Sequence, residues 1–171
     1  MLLVGGASSR FGSPKALARI DGETLADRAW RVLGETCGER VAVGKLGDGL
    51  SLPFALRDDG VEVRAPLAGV IAGLQLATND LCVVVPIDCP LLTPSVLLEL
   101  ADACEGDAAV PQTGPLPGAY RPSALPLLER RLASGDLRLR SALRSLDAAV
   151  VEVDPRLLVN VNTPEDLDAV R

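Results

Sequence analysis

The run Leu81-Cys82-Val83-Val84-Val85 is apolar at every position and then stops at Pro86-Ile87-Asp88-Cys89-Pro90. A strand with one wet face alternates apolar and polar side chains. A strand that is apolar throughout must be covered on both faces, as in a parallel sheet flanked by helices. Met1-Leu2-Leu3-Val4 repeats the pattern and stops at Gly5-Gly6. Two such strands, each running into a polar loop, restrict the chain to an α/β architecture. Its ligand edge should lie at the carboxyl ends of the strands.

The intervening segments carry helix signals. Thr24 is placed to cap a helix with Asp27 three residues on, and Leu25, Ala29, Val32 and Leu33 form its apolar stripe until Gly34. Residues 40–43 and 54–56 read as a second and a third strand. A helix follows Pro66 with Val70, Ile71, Leu74 and Ala77 on its inner face, and Thr93-Pro94 opens another that runs to about Cys104. Residues 108–111 and 118–120 are expected as strands around a Gly/Pro-rich turn, 124–133 and 140–146 as helices, and 150–153 as a late strand. Thr163-Pro164-Glu165-Asp166 starts a final helix with a cap, a proline and two first-turn carboxylates. Strand–helix alternation predicts a mostly parallel sheet with helices on both sides. No linker or repeat interrupts it, so residues 1–171 are expected to form one domain.

Charge and composition narrow the chemistry. The 171 residues carry a net charge of −6 and no histidine. An acidic chain is a poor general binder of nucleic-acid backbones. Absence of histidine excludes serine–histidine hydrolysis, histidine metal centres and imidazole proton shuttles. Cys37, Cys82, Cys89 and Cys104 form no C-x-x-C pair, so free buried thiols are expected rather than a zinc site, and with them a reducing, cytoplasmic location. No apolar stretch reaches ~18 residues, and no membrane association is expected.

Three segments carry candidate chemistry. Gly5-Gly6-Ala7-Ser8-Ser9-Arg10-Phe11-Gly12-Ser13-Pro14-Lys15 combines glycines, hydroxyls and two cations directly after the first strand, which suits an anion-binding loop. It matches neither G-x-x-x-x-G-K-[ST] nor G-x-G-x-x-G, so neither standard nucleotide loop applies. Asp88 follows the apolar run of the central strand. A lone carboxylate beside a phosphate-binding loop suits Mg²⁺, which takes one or two protein oxygens and completes its shell with water and phosphate; the alternative is an Asp that satisfies turn amides. Asn160 and Asn162 are two apart, so an extended segment puts both on one face, presenting either amide oxygens to a metal or hydrogen bonds to a ligand; capping of the last helix is the competing role.

Taken together, Leu3-Val4-Gly5-Gly6 through Lys15, Pro66-Leu67-Ala68-Gly69, Pro86-Ile87-Asp88-Cys89-Pro90 and Asn160-Val161-Asn162-Thr163-Pro164-Glu165-Asp166 resemble the MobA-like nucleotidyltransferases over essentially the whole chain. The nearest branch is the one that guanylylates the molybdenum cofactor. The resemblance implies a three-layer α/β/α Rossmann-like fold and transfer of GMP from GTP to molybdopterin with Mg²⁺, releasing pyrophosphate. It assigns Leu3, Val4, Gly5, Gly6, Lys15, Asp58 and Asp88 to the nucleotide, Asp88 to the metal, and Arg10, Lys15 and Asp88 to catalysis. Asp59 competes with Asp58 for the acidic position. Asn160 and Asn162 are candidate second-site or acceptor contacts. A monomer is expected, with molybdenum-cofactor chaperones or molybdoenzymes as downstream partners. Phe11 departs from the methionine common in the family, and Gly44-Lys45 stands where asparagine is frequent. A cytidylyltransferase, a sugar-phosphate nucleotidylyltransferase and a noncatalytic nucleotide-binding module are the alternative readings; Gly5-Gly6 goes with the guanine-using branch.

Overall fold

The computed structural model describes residues 1–5, 11 and 14–170. Nine strands are present among them: β1 (Leu2–Val4), β2 (Arg19–Ile20), β3 (Glu23–Thr24), β4 (Ala42–Gly44), β5 (Leu56–Asp58), β6 (Cys82–Pro86), β7 (Ala108–Pro111), β8 (Gly118–Tyr120) and β9 (Ala148–Val151). The helices are α1 (Leu25–Thr36), α2 (Pro66–Leu76), α3 (Pro94–Asp102), α4 (Leu125–Ala133), α5 (Leu139–Leu143) and α6 (Pro164–Ala169). Seven strands form one sheet in the order β5-β4-β1-β6-β8-β7-β9, and β2 pairs with β3 as a separate hairpin. β1 lies parallel to β4 and β6, β4 to β5, and β7 to β9; β8 alone runs antiparallel to its neighbours β6 and β7. The mostly parallel sheet expected from the apolar runs is therefore what forms.

The two-residue period of the strands divides the core. Leu2 and Val4 of β1 and Val83 and Val85 of β6 join Ala29, Leu33, Leu97 and Leu100 from α1 and α3. Leu3, Cys82 and Val84 point the other way, to Leu67, Val70, Leu128 and Leu139 from α2, α4 and α5. Residues 67–74 of α2 are all buried, since the helix is covered by the sheet on one side and contacts α4 on the other. A third cluster of Ile20, Leu25, Val161 and Leu167 ties the β2–β3 hairpin to the C-terminal segment.

Several local expectations shift. The helix that starts at Thr24 has the expected cap, with the Thr24 hydroxyl accepting from the Asp27 N–H at 3.0 Å, but it runs past Gly34 to Thr36. Gly34 serves a close approach instead. A Cβ there would lie 2.5 Å from Nη1 of Arg40, whose guanidinium covers the Trp30 ring at 4.6 Å and donates to the Trp30 carbonyl. Thr93 does not cap α3 with its side chain, because its hydroxyl bonds the Ser95 hydroxyl at 2.8 Å. The third strand sits two residues later than expected, at Leu56–Asp58, since Phe54 stacks on Trp30 with ring centroids 4.2 Å apart. The β2–β3 hairpin adds to the expected elements; its signal is Asp21-Gly22, at φ of 51° and 84°, a dipeptide that favours the turn of a two-residue hairpin.

Candidate active site

The carboxyl ends of β1, β4 and β6 open onto a cavity of about 420 Å³ whose walls include Leu3, Gly5, Gly44, Lys45, Asp59, Arg64, Asp88, Thr113, Leu116, Arg140 and Asn160. This is a volume in the range of small-ligand sites. Two parts of the chain far apart in sequence meet at its edge. The Val161 N–H donates to the Asp88 carbonyl at 2.8 Å, which joins the end of β6 to the segment before α6. The buried Cys89 thiol donates to Oδ1 of Asn160 at 3.0 Å. Burial away from water pushes that thiol well above the ordinary thiol range, with the neighbouring Asp88 charge adding to the effect, so it stays protonated and acts as a donor.

Lys15 lies in a short 3-10 turn packed beside α1. Its Nζ donates to Oδ1 of Asn162 at 2.9 Å and stands 3.5 Å from Oδ2 of Asp88. The side chains of Lys15 and Asp88 are 13% and 29% exposed, shielded yet open to a ligand. The Lys15 ammonium can only donate and the protonated Cys89 thiol donates to Asn160, so both asparagine oxygens face the protein and, among the described residues, both Nδ2 groups are left as donors. The arrangement favours hydrogen bonds to an anion over amide oxygens offered to a metal.

Thr163 and Asp166 hold that segment. Asp166 Oδ2 accepts from the backbone N–H of Asn162 at 2.8 Å and of Thr163 at 2.9 Å, while Thr163 Oγ1 accepts from the Asp166 N–H at 3.1 Å. This complete capping box opens α6 as the sequence suggested. The hydrogen bonds, that from Asn162 first, hold the Asp166 carboxyl below its usual range. Val161, fully buried between the two asparagines, anchors the strip to the hairpin cluster.

The other expected residues divide. Leu3, Gly5, Asp88 and Asn160 line the cavity, whereas the Val4 side chain turns into the core on the opposite face of the sheet. Gly6 and Arg10 lie outside the described residues. Asp58 is not part of the wall. It accepts from the backbone N–H groups of Leu46 and Gly60, each at 2.9 Å, and these bonds lower its pKa. Asp59 is part of the wall, paired with Lys45 at 2.5 Å in a contact whose side chains are only 7% and 12% exposed. Arg64, bonded to Asp48, and Arg140 also border the cavity. Arg64 could have been suspected from its place just before Ala65-Pro66; Arg140 sits in a segment that reads as a solvated helix face and carries no local signal. Among the described residues no group of three or more Cys, Asp or Glu side chains is arranged to hold a metal ion. Asp88 is a hard oxygen donor at the cavity edge, which fits a divalent ion that arrives with phosphates rather than one held by the protein alone.

A profile of the MobA-like NTP transferase domain matches residues 1–150. The chain is 35% identical over 197 residues to a probable molybdenum cofactor guanylyltransferase of Chloroflexus aggregans, covering 100% of this chain and 92% of that protein. It is 34% identical over 174 residues to a probable molybdenum cofactor guanylyltransferase of Deinococcus radiodurans, covering 97% and 90%. The crystal structure of molybdopterin-guanine dinucleotide biosynthesis protein A from Archaeoglobus fulgidus superposes with a TM-score of 0.81 at 27% identity, over 99% of this chain and 94% of that one. With the domain profile covering most of the chain, and the sheet order and polar edge described above behind it, the chain belongs to the MobA-like NTP transferase family.

Proposed function

We propose that the protein transfers GMP from GTP to molybdopterin, or to its molybdenum-bearing form, making a guanine dinucleotide cofactor and pyrophosphate. The observation that carries this reading is the meeting of Lys15, Asp88 and Asn162 at the edge of a nucleotide-sized cavity. Full-length similarity to proteins named for that transfer supports it.

In the reaction a bond forms between an oxygen of the acceptor phosphate and the α-phosphorus of GTP. The bond from that phosphorus to the pyrophosphate oxygen breaks. The nucleophile is already ionised near neutrality, so the chain needs no histidine. The obstacle is repulsion between two anions, and the protein meets it by positioning and charge. Lys15 offers a point charge to the triphosphate, and Asn162 steers that charge through its amide oxygen. The Nδ2 groups of Asn160 and Asn162 donate to phosphate oxygens. Gly5, together with Gly6 and Arg10, serves the nucleotide loop. Asp88 would hold Mg²⁺ arriving with the nucleotide, and the bound ion would supply positive charge against the phosphate oxygens. The polar Lys45–Asp59 wall supports the base end of the site, with Asp59 rather than Asp58 as its acid.

Residues 1–171 serve as one nucleotidyltransferase domain, working as a monomer. The four cysteines are unpaired, which supports a reducing cytoplasm. Among the described residues no helix is long and apolar enough to cross a membrane. Recipients of the product would be molybdenum-cofactor chaperones or molybdoenzymes. The test is product formation from GTP, ATP and CTP, each with Mg²⁺ and with or without molybdopterin. Pyrophosphate release that needs both GTP and molybdopterin is expected. Equal or faster turnover of CTP would remove the guanylyl assignment, and tight GTP binding without any transfer would make the protein a binding module.

A further inference from the structure

The cations around the cavity are not equivalent. Lys15 faces Asp88, Lys45 faces Asp59 and Arg64 faces Asp48, so each has a carboxylate within ion-pair distance. Arg140 has none among the described residues. Among the described residues its one bond runs from Nη2 to the carbonyl of Thr113, which leaves Nε and Nη1 as unused donors of a permanently charged, planar group. Its guanidinium packs close to the loop, since a Cβ on Gly114 would lie 2.9 Å from Nη2.

Strand order says which substrate this cation serves. Lys45 and Asp59 follow β4 and β5, on one side of the β1–β6 pair where the nucleotide loop and Asp88 emerge. Thr113, Gly114 and Leu116 belong to the turn between β7 and β8, on the other side of β6. Arg140 therefore sits across Asp88 from the base end, on a wall it shares with Thr113 and with the apolar Pro115, Leu116 and Leu158. A cation with no carboxylate partner among the described residues, on a largely apolar wall, is suited to an anion brought by the second substrate.

We propose that Arg140 binds the phosphomonoester of the acceptor, holding it beside the triphosphate against their mutual repulsion. This rests on the guanylyltransferase reading and adds to it the residue that recognises the acceptor's charge.

The test compares wild type, Arg140→Gln and Arg140→Lys. Binding of molybdopterin, with and without its terminal phosphate, is measured by ultrafiltration and pterin fluorescence, and GTP binding by calorimetry. Expected is a roughly ten- to hundredfold weaker hold on the phosphorylated pterin for Arg140→Gln, from loss of charge-assisted bonds. Affinity for the dephosphorylated pterin and for GTP should stay unchanged, with partial recovery in Arg140→Lys. Equal losses for both pterins, or an unchanged phosphorylated pterin alongside normal wild-type turnover, would overturn the Arg140 assignment alone. A fall in GTP affinity would overturn it in favour of a nucleotide contact. If wild type bound neither pterin, the assignment and the guanylyltransferase reading would fall together.

Discussion

Nζ of Lys15 stands 3.5 Å from Oδ2 of Asp88 and is held there by the Asn162 amide oxygen at 2.9 Å. Three separate stretches of the chain thus share one charge balance at the mouth of the cavity. Partly solvated ion pairs contribute about 1 kcal/mol or less to folding. Asp88→Asn should therefore melt close to wild type yet lose transfer by about a hundredfold or more, the scale of removing one group that meets developing charge. Steady-state rates beside thermal melts check this. A folded Asp88→Asn protein with normal turnover would show that the carboxylate only balances Lys15.

Asn162 has two separable roles, since its oxygen positions Lys15 and its Nδ2 has no partner among the described residues. Asn162→Ala should cost about 0.5–1.5 kcal/mol of stability, the worth of one hydrogen bond, with a larger proportional loss in kcat. Asn162→Asp keeps an acceptor for Lys15 but replaces the donor with an anion, so it should be slower than the alanine variant while melting at least as high. The reverse order of rates would mean that the amide merely holds the turn.

Lys45 and Asp59 form the most enclosed ion pair of the cavity wall. Removing one partner of such a pair costs about 3–5 kcal/mol, whereas replacing both with apolar residues of similar volume is often neutral. Asp59→Asn is expected to be less stable than the double variant Lys45→Met/Asp59→Leu by urea unfolding. In the double variant, discrimination between GTP and CTP should narrow. Preserved discrimination would place base recognition elsewhere.

The capping box makes the site's scaffold sensitive to acid. Hydrogen bonds from Asn162 and Thr163 hold the Asp166 carboxyl below its usual range. The stabilisation it provides is therefore complete above the unfolded-state value of about 4 and is lost as pH falls through the lower folded value. The amide resonances of Asn162 and Thr163 should shift together in that acid window, well before any change near neutrality. In Asp166→Asn the shared transition should disappear. Its persistence would assign the titration to another carboxylate.

Apolar runs at 1–4 and 81–85, with the caps at Thr24 and Thr163, are enough to read the layered sheet and the starts of α1 and α6 from the sequence. These are local consequences of covering both faces of a strand and of satisfying the first N–H groups of a helix. Lys15 and Asp88 could be named because each lies beyond a strand whose end is legible, and Asn160 and Asn162 because they precede a legible helix cap. What tertiary structure alone decided is how these ends meet. The bond from Val161 N–H to the Asp88 carbonyl and the buried cluster of Ile20, Leu25, Val161 and Leu167 bring the C-terminal strip to Lys15. Long-range contacts also chose Asp59 over its neighbour Asp58 for the cavity wall and brought Arg140 to it. Neither choice has a local signature: adjacent carboxylates look alike in sequence, and an arginine in a helix reads as solvated until the packing of other elements puts a pocket beside it.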